Sequence, residues 1–260
     1  MTDIDVSPVI PGVRDVARAA AETFLRHTEP WFVGLLVHRS AVKGGFIPHL
    51  SDIDFQLHLH EDAFDTRNQI PVETALAIHR DLAAIDLGIV NYIQCFPLHH
   101  DHRPEWLGPI PGAFHMVAGQ LPIAVATDAE LLVSAHARLR NLSPVPFEIA
   151  NGLLDCGPYR LERLIRLLAT DVWPTLYQIL TCATRDPLHV WTLPKEHAMD
   201  LLPDRKSPGF EVRHFYRTMR ARSGGDGSIE NGLETISAAI GFLQAARAWY
   251  TQSSRRDARA

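Results

Sequence analysis

Asp52 and Asp54 stand at positions i and i+2 in the run SDIDFQLHLH. On an extended strand that spacing sends both carboxylates off the same face, roughly 6–7 Å apart at the backbone. Two such carboxylates can lean onto one magnesium or manganese ion, or bracket two. Magnesium takes a few carboxylates and completes its shell with water and substrate phosphate oxygens. The chemistry that fits is transfer of a phosphorus-centred group. There the metal neutralises triphosphate charge, activates an attacking hydroxyl and stabilises the departing pyrophosphate. The preceding residues supply what else such a site needs. Ser40, Gly44, Gly45 and Ser51 are small, and small residues let backbone N–H groups approach phosphate oxygens. Ser40 adds a hydroxyl and Lys43 a positive charge. Taken alone, Asp-x-Asp after a turn has a plainer origin, because Asp favours turns and the solvated face of a strand.

The elements that must position these residues are legible in the hydrophobic pattern. Val13 to His27 carries apolar residues at helical spacing and is stopped by Pro30. Trp31 to Val37 is a continuous apolar run, which suits a strand buried on both faces. The run from Asp52 to His60 alternates, with Ile53, Phe55, Leu57 and Leu59 on one side and Asp52, Asp54, Gln56, His58 and His60 on the other. It predicts a half-buried strand with a polar, metal-capable face. Pro71 opens a helix through about Ala84, Ile89 to Phe96 predicts a third strand, Pro97 to Gly112 a loop, and Ala113 to Ala118 a short strand. From Asp128 onward the pattern is helical, over 128–140, 146–154, 158–182, 195–202, 208–222 and 228–251, and Trp173-Pro174 should kink or break the third of these. The expected architecture is α+β: a small mixed-sheet domain over 1–126 with flanking helices, an all-helical domain over 127–252, and a flexible tail over 253–260.

Composition narrows the function classes. A hydrophobic share of 46% and a charged share of 21% are those of a globular chain. The formal net charge of −5 lacks the basic excess of a general polyanion binder, so no nucleic-acid partner is expected and any phosphate chemistry must be local. Cys95, Cys156 and Cys182 are odd in number and form no CxxC pair, which suits free thiols in a reducing compartment. The N-terminal MTDIDVSPVIPG lacks a basic region followed by an apolar run. No apolar stretch approaches membrane-spanning length. The expected location is cytoplasmic, with no membrane partner.

The segment HRSAVKGGFIPHLSDIDFQL resembles the signature of the DNA polymerase beta-like nucleotidyltransferase superfamily. That signature is an apolar strand, a Gly-Ser pair, a spacer, and Asp-x-Asp on the next strand. The Ser40-to-Asp52 spacing is similar to that of the branch containing bacterial aminoglycoside nucleotidyltransferases. The resemblance implies that Asp52 and Asp54 bind the metal. It also implies that Ser40, Lys43, Gly44, Gly45 and Ser51 hold the nucleotide, with ATP first among nucleoside triphosphates. The partners are then that triphosphate and a small-molecule acceptor. In that branch a helical C-terminal domain helps hold nucleotide and acceptor, and its Lys-x-x-Ala element matches Lys195 to Ala198. A lysine there can reach the phosphates, although a lysine starting a helix by default faces solvent.

Two departures stand out. The Gly that precedes Ser in the family is Arg39 here. Arg39 could block the main chain's approach to the phosphates, point outward, or clamp a phosphate. The acid that the family places on the next core strand is absent from IVNYIQCF, whose polar members are Asn91 and Gln94. Gln94 cannot act as a base, and Asp86 and Asp101 flank the strand as turn-type residues.

Other groups admit two readings each. LHHDH at Leu98 to His102, with His58 and His60, invites zinc and a metal-hydrolase reading, but lacks the helical i, i+4 frame. Arg160, Arg163 and Arg166 form a solvated face or a positive edge. Trp173, Tyr177, Trp191, Phe215, Tyr216 and Trp249 fall at helical core positions where some could line an acceptor pocket. The reading reached is a metal-dependent nucleotidyltransferase acting on a hydroxyl of a small, aminoglycoside-like acceptor. The alternative is a module of the same fold that binds a nucleotide or protein partner without turnover.

Overall fold

The computed structural model describes residues 3–99, 107–157, 159–203 and 207–257. The chain forms two compact units, Met1–Ala126 and Thr127–Ala260.

In the first unit, helix α1 (Arg14–Thr28) precedes strand β1 (Phe32–His38), a short helix α2 (Ser40–Lys43), strand β2 (Ile53–Leu59), helix α3 (Val72–Leu82), and strands β3 (Ile93–Leu98) and β4 (Phe114–Gly119). The four strands lie in the order β3-β2-β1-β4. β1 is antiparallel to β2 and β4, and β2 is parallel to β3. Leu35, Leu36 and Val37 are all fully buried, as a strand covered on both faces requires. The core gathers Val13, Ala17, Ala20, Ala21 and Phe24 against Leu35, Val37, Ile53, Phe55 and Leu57. Phe24 meets Phe55 edge-on at 5.4 Å between ring centroids, a favoured aromatic geometry. Val6 and Val9 of the acidic N-terminal segment are buried in the same core, and the Asp5 N–H donates to Val117 O at 2.8 Å.

Four sequence expectations change here. β2 is not half-buried. Asp54 and His58 are as buried as the apolar residues between them, and only Gln56 on that face is partly open. β2 is an interior strand, so neighbours crowd its polar face: His38 is in register with Asp54, and Leu36 and Phe96 with Gln56. Asp52 lies just before the strand, with Ile53 as the first strand residue. β3 starts at Ile93 instead of Ile89, because the Val90 N–H donates back to Leu87 O at 2.8 Å and closes a turn. Pro97 is tolerated inside β3 because this strand is at the sheet edge. The segment after Arg39 forms the single turn α2.

Among the described residues the elements of the second unit are all helices: α4 (Asp128–Arg140), α5 (Phe147–Gly152), α6 (Arg160–Thr184), α7 (Pro187–Thr192), α8 (Lys195–Asp200), α9 (Gly209–Ser223) and α10 (Ile229–Asp257). Thr127 and Glu130 form a capping box that starts α4. Pro174 does not break α6, which runs 25 residues through it. The buried Leu164, Ile165, Leu168, Val172, Leu176, Ile179 and Leu180 hold the helix on both sides of the proline, so packing outweighs one lost backbone hydrogen bond. α7 went unforeseen, and α10 continues to Asp257, beyond the expected end at 251. Among the described residues, no helix is long and apolar enough to cross a membrane.

Candidate active site

The turn from β1 into α2 sets the site's first half. Arg39 has φ 66° and ψ −137°, backbone space that an L-residue enters at a cost of roughly 1–3 kcal/mol. Hydrogen bonds pin this turn on both sides. The Arg39 N–H donates to Ala113 O at 2.9 Å, and Arg39 O accepts from the Val42 and Lys43 N–H groups at 3.0 and 2.9 Å. The arginine therefore sits where the resembling family has glycine, and in a backbone geometry that suits glycine. Its side chain is 60% exposed, yet its Nη1 donates to Asp54 Oδ1 at 3.1 Å, while Asp54 is 2% exposed. Of the roles open to Arg39 from sequence, none included this one.

Ser40 follows, buried, as the first residue of α2. Lys43 ends α2 half-buried. Gly44 and Gly45 have φ of 88° and 73°, so the loop uses glycine where a side chain would be strained. Ser51 also holds the loop in shape. Its Oγ accepts the Ile47 N–H at 2.9 Å and its own N–H donates to Ile47 O at 2.8 Å, which closes the loop on itself. Asp52 is half-buried just beyond.

Strand register builds the second half. Gln94, Asp54, His38 and Phe114 form one row across all four strands. Gln94 thus holds the place beside Asp54 where an acid of the next strand would stand, and its Oε1 accepts from the Tyr92 hydroxyl at 3.4 Å. Asp86 caps a turn, with its Oδ1 accepting the Gly88 N–H at 3.1 Å. Asp101 lies outside the described residues. His38, on the other side of Asp54, drew no attention in the sequence. Its Nε2 is buried without a hydrogen-bond partner among the described residues. Burial, and secondarily the nearby Arg39 charge, lower its pKa to about 3, so the ring is neutral at physiological pH. His58 on β2 is likewise neutral. Both ring nitrogens are buried without partners among the described residues, and burial lowers its pKa to about 4.

The LHHDH run falls largely outside the described residues, at His100, Asp101 and His102. His99 Nε2 lies 3.4 Å from Asn68 Oδ1, and its ring packs 5.2 Å from that of Phe64. His60 is exposed at the far end of β2 from Asp52. Among the described residues, no group of three or more His, Cys, Asp or Glu side chains is placed to hold a metal. A magnesium ion here would rest on Asp52 and Asp54 and complete its shell with water and phosphate oxygens, as that ion usually does. The residues fit such an ion. Asp54 is a buried carboxylate that already accepts a positive group at its Oδ1, and Asp52 stands two residues away.

In the second unit Lys195 starts α8 and is buried, contrary to the default of an exposed helix-start lysine. Its Nζ lies 5.3 Å from the Trp173 ring centroid, within cation–π range. The adjacent Glu196 accepts from the Tyr216 hydroxyl, and burial followed by this carboxylate raises the Tyr216 pKa to about 12. Tyr177 stacks on Trp191 at 5.1 Å, with its hydroxyl donating to Leu193 O at 2.7 Å. Arg160 and Arg163 are exposed while Leu164, Ile165 and Leu168 are buried, the arrangement of a solvated helix face.

No protein-family model matches the sequence, and no curated protein sequence matches it. Among solved structures, the chain is similar to spectinomycin adenyltransferase AAD(9) from Enterococcus faecialis, whose crystal structure contains ATP and spectinomycin. The TM-score is 0.56 at 13% identity, over 90% of this chain and 98% of that one. At that identity the likeness is one of fold: a mixed-sheet domain followed by a helical part.

Proposed function

We propose that the chain is a metal-dependent nucleotidyltransferase that moves a nucleoside monophosphate from a nucleoside triphosphate to a hydroxyl of a small-molecule acceptor. One observation carries the reading. Asp54 is buried on the interior strand of a sheet of this fold, with Asp52 just ahead of it, and it already holds a positive group. Asp52 and Asp54 would hold magnesium, which would supply charge neutralisation for the triphosphate. Ser40 and the backbone of Lys43, Gly44 and Gly45 would contact phosphate oxygens. The positive φ of both glycines supports that assignment, because it keeps the loop free of side chains.

In the reaction, the acceptor oxygen forms a bond to the α-phosphorus and the bond from that phosphorus to the bridging oxygen breaks. Pyrophosphate leaves with that electron pair. Gln94 cannot take the hydroxyl proton, so the proton passes to water. ATP is the first nucleotide to test, and aminocyclitol or aminoglycoside alcohols are the first acceptors, by analogy with the neighbour's contents.

The test is thermal melting with magnesium and each nucleoside triphosphate, followed by pyrophosphate release across an acceptor panel. The reading expects a rise in Tm with magnesium and one triphosphate, and loss of that rise when D52N and D54N are combined. No rise in wild type with any triphosphate would sink it. Binding without turnover across the panel would favour the non-enzymatic alternative.

A further inference from the structure

We propose that Arg39 is a built-in cation that gates Asp54: its guanidinium occupies the carboxylate until a triphosphate draws it away, so that metal and nucleotide bind as a coupled pair. The inference rests on the nucleotidyltransferase reading and assigns a role that neither the fold nor the resemblance gives to this position.

The two partners differ in freedom. Asp54 is 2% exposed on an interior strand and has little room to move, whereas the Arg39 side chain is 60% exposed, long and flexible. Among the described residues, Asp54 is the side chain that Arg39 bonds. The base of Arg39 is anchored immediately before Ser40 by three backbone hydrogen bonds. From that anchor its head reaches Asp54, and the same anchor opens the loop proposed to contact phosphates. Guanidinium binds carboxylate and phosphate with the same forked donors, so a triphosphate can take it over with little loss of hydrogen bonding.

Charge gives the direction of the effect. The Arg39 guanidinium sits on Asp54 Oδ1, and the adjoining strand contributes the neutral Gln94. That leaves a weak attraction for a divalent ion arriving alone. When a triphosphate engages Arg39, the guanidinium leaves Asp54 Oδ1 and the phosphates add their own negative charge, so affinity for the ion rises. A site built on two carboxylates without the arginine would bind the ion more independently of nucleotide.

The experiment is a Mn2+ titration followed by electron paramagnetic resonance on the full-length wild type, R39G, R39Q and R39K, with and without α,β-methylene-ATP. R39G suits the φ of 66°, and R39Q keeps the side chain's bulk while removing its charge. Wild type is expected to bind Mn2+ weakly alone and more tightly with the analogue. R39G and R39Q should each bind Mn2+ alone about tenfold more tightly than wild type, about 1.4 kcal/mol, and the analogue should then add less. R39K should stay nearer wild type. If R39G and R39Q bind Mn2+ alone no more tightly than wild type, while wild type still binds Mn2+ with the analogue, the gate is refuted and the proposed function stands. If wild type binds neither Mn2+ nor the analogue, both fall.

Discussion

The two units each contain a buried ion pair, and the pairs are mirror images. In the first, the acid is buried and the base exposed: Asp54 at 2% and Arg39 at 60%. In the second, the base is buried and the acid is half-open: Arg222 at 6% and Glu162 at 44%. Arg222 also donates to Ser228 O, so its guanidinium ties α6, α9 and the start of α10 together. Arg213 does the same kind of work, donating to the carbonyls of Met199, Leu202 and Gly209. Arg213 is held by three carbonyls, and Arg222 by one carbonyl and one carboxylate. Arg39 is attached by one side-chain bond and stands on a backbone that costs energy to hold. A saturated buried cation fastens helices. A lightly tethered, exposed one over a buried acid is arranged for exchange.

That contrast can be broken at several points. The largest effect is expected from D52N combined with D54N, which should lower nucleotidyl transfer by about 10³-fold, since several kcal/mol of charge stabilisation is lost with the metal ligands. Pyrophosphate-release rates would measure it, and a fall of less than tenfold would remove Asp52 and Asp54 from the chemistry. Second is the acid sensitivity of the first unit. His58 has its pKa lowered from 6.5 to about 4 by burial. Above pH 6.5 the ring is neutral in both folded and unfolded chains. As pH falls from about 6.5 towards 4, the unfolded chain takes up a proton that the folded chain refuses, so stability is lost. The full loss is about 3 kcal/mol. Urea denaturation at pH 7 and pH 4 should show H58L losing less stability than wild type by about that amount.

The third effect tests the second unit's pair. E162A leaves the buried Arg222 with only its backbone partner, and should destabilise by about 2 kcal/mol, below the range for a fully buried pair because Glu162 is half-open. G45A should cost about 1 kcal/mol by forcing a β-carbon to φ 73°. The smallest effect is expected at the pair that looks most conspicuous. R39G relieves the positive φ while it removes the Arg39–Asp54 bond, and the two should nearly offset, leaving the protein within about 1 kcal/mol of wild type by denaturant melting. A loss from R39G larger than that from E162A would show that Arg39 is structural after all.

Much of the architecture was legible in the chain. The apolar run before Arg39, the alternation after Asp52 and the helical periodicity beyond Asp128 each depend on local patterning, and all appear as strands and helices near the expected positions. The misjudged features depend on distant neighbours. α6 survives Pro174 because of its packed face, and β3 starts late because Val90 closes a turn. Lys195, exposed by default, is buried beside Trp173.

At the candidate site the same division holds. The sequence by itself determined which groups are present: two carboxylates two residues apart, a glycine-bearing loop, an arginine before the loop's serine, and no acid on the following strand. Those are covalent facts, and spacing along a strand converts them directly into sidedness. Only the tertiary structure decided how they pair. Strand register put Gln94 and His38 on either side of Asp54, and a turn at positive φ swung Arg39 back onto a carboxylate fifteen residues away. Register and turn angle are set by the whole sheet closing on its core, so no window of sequence around Asp54 contains them.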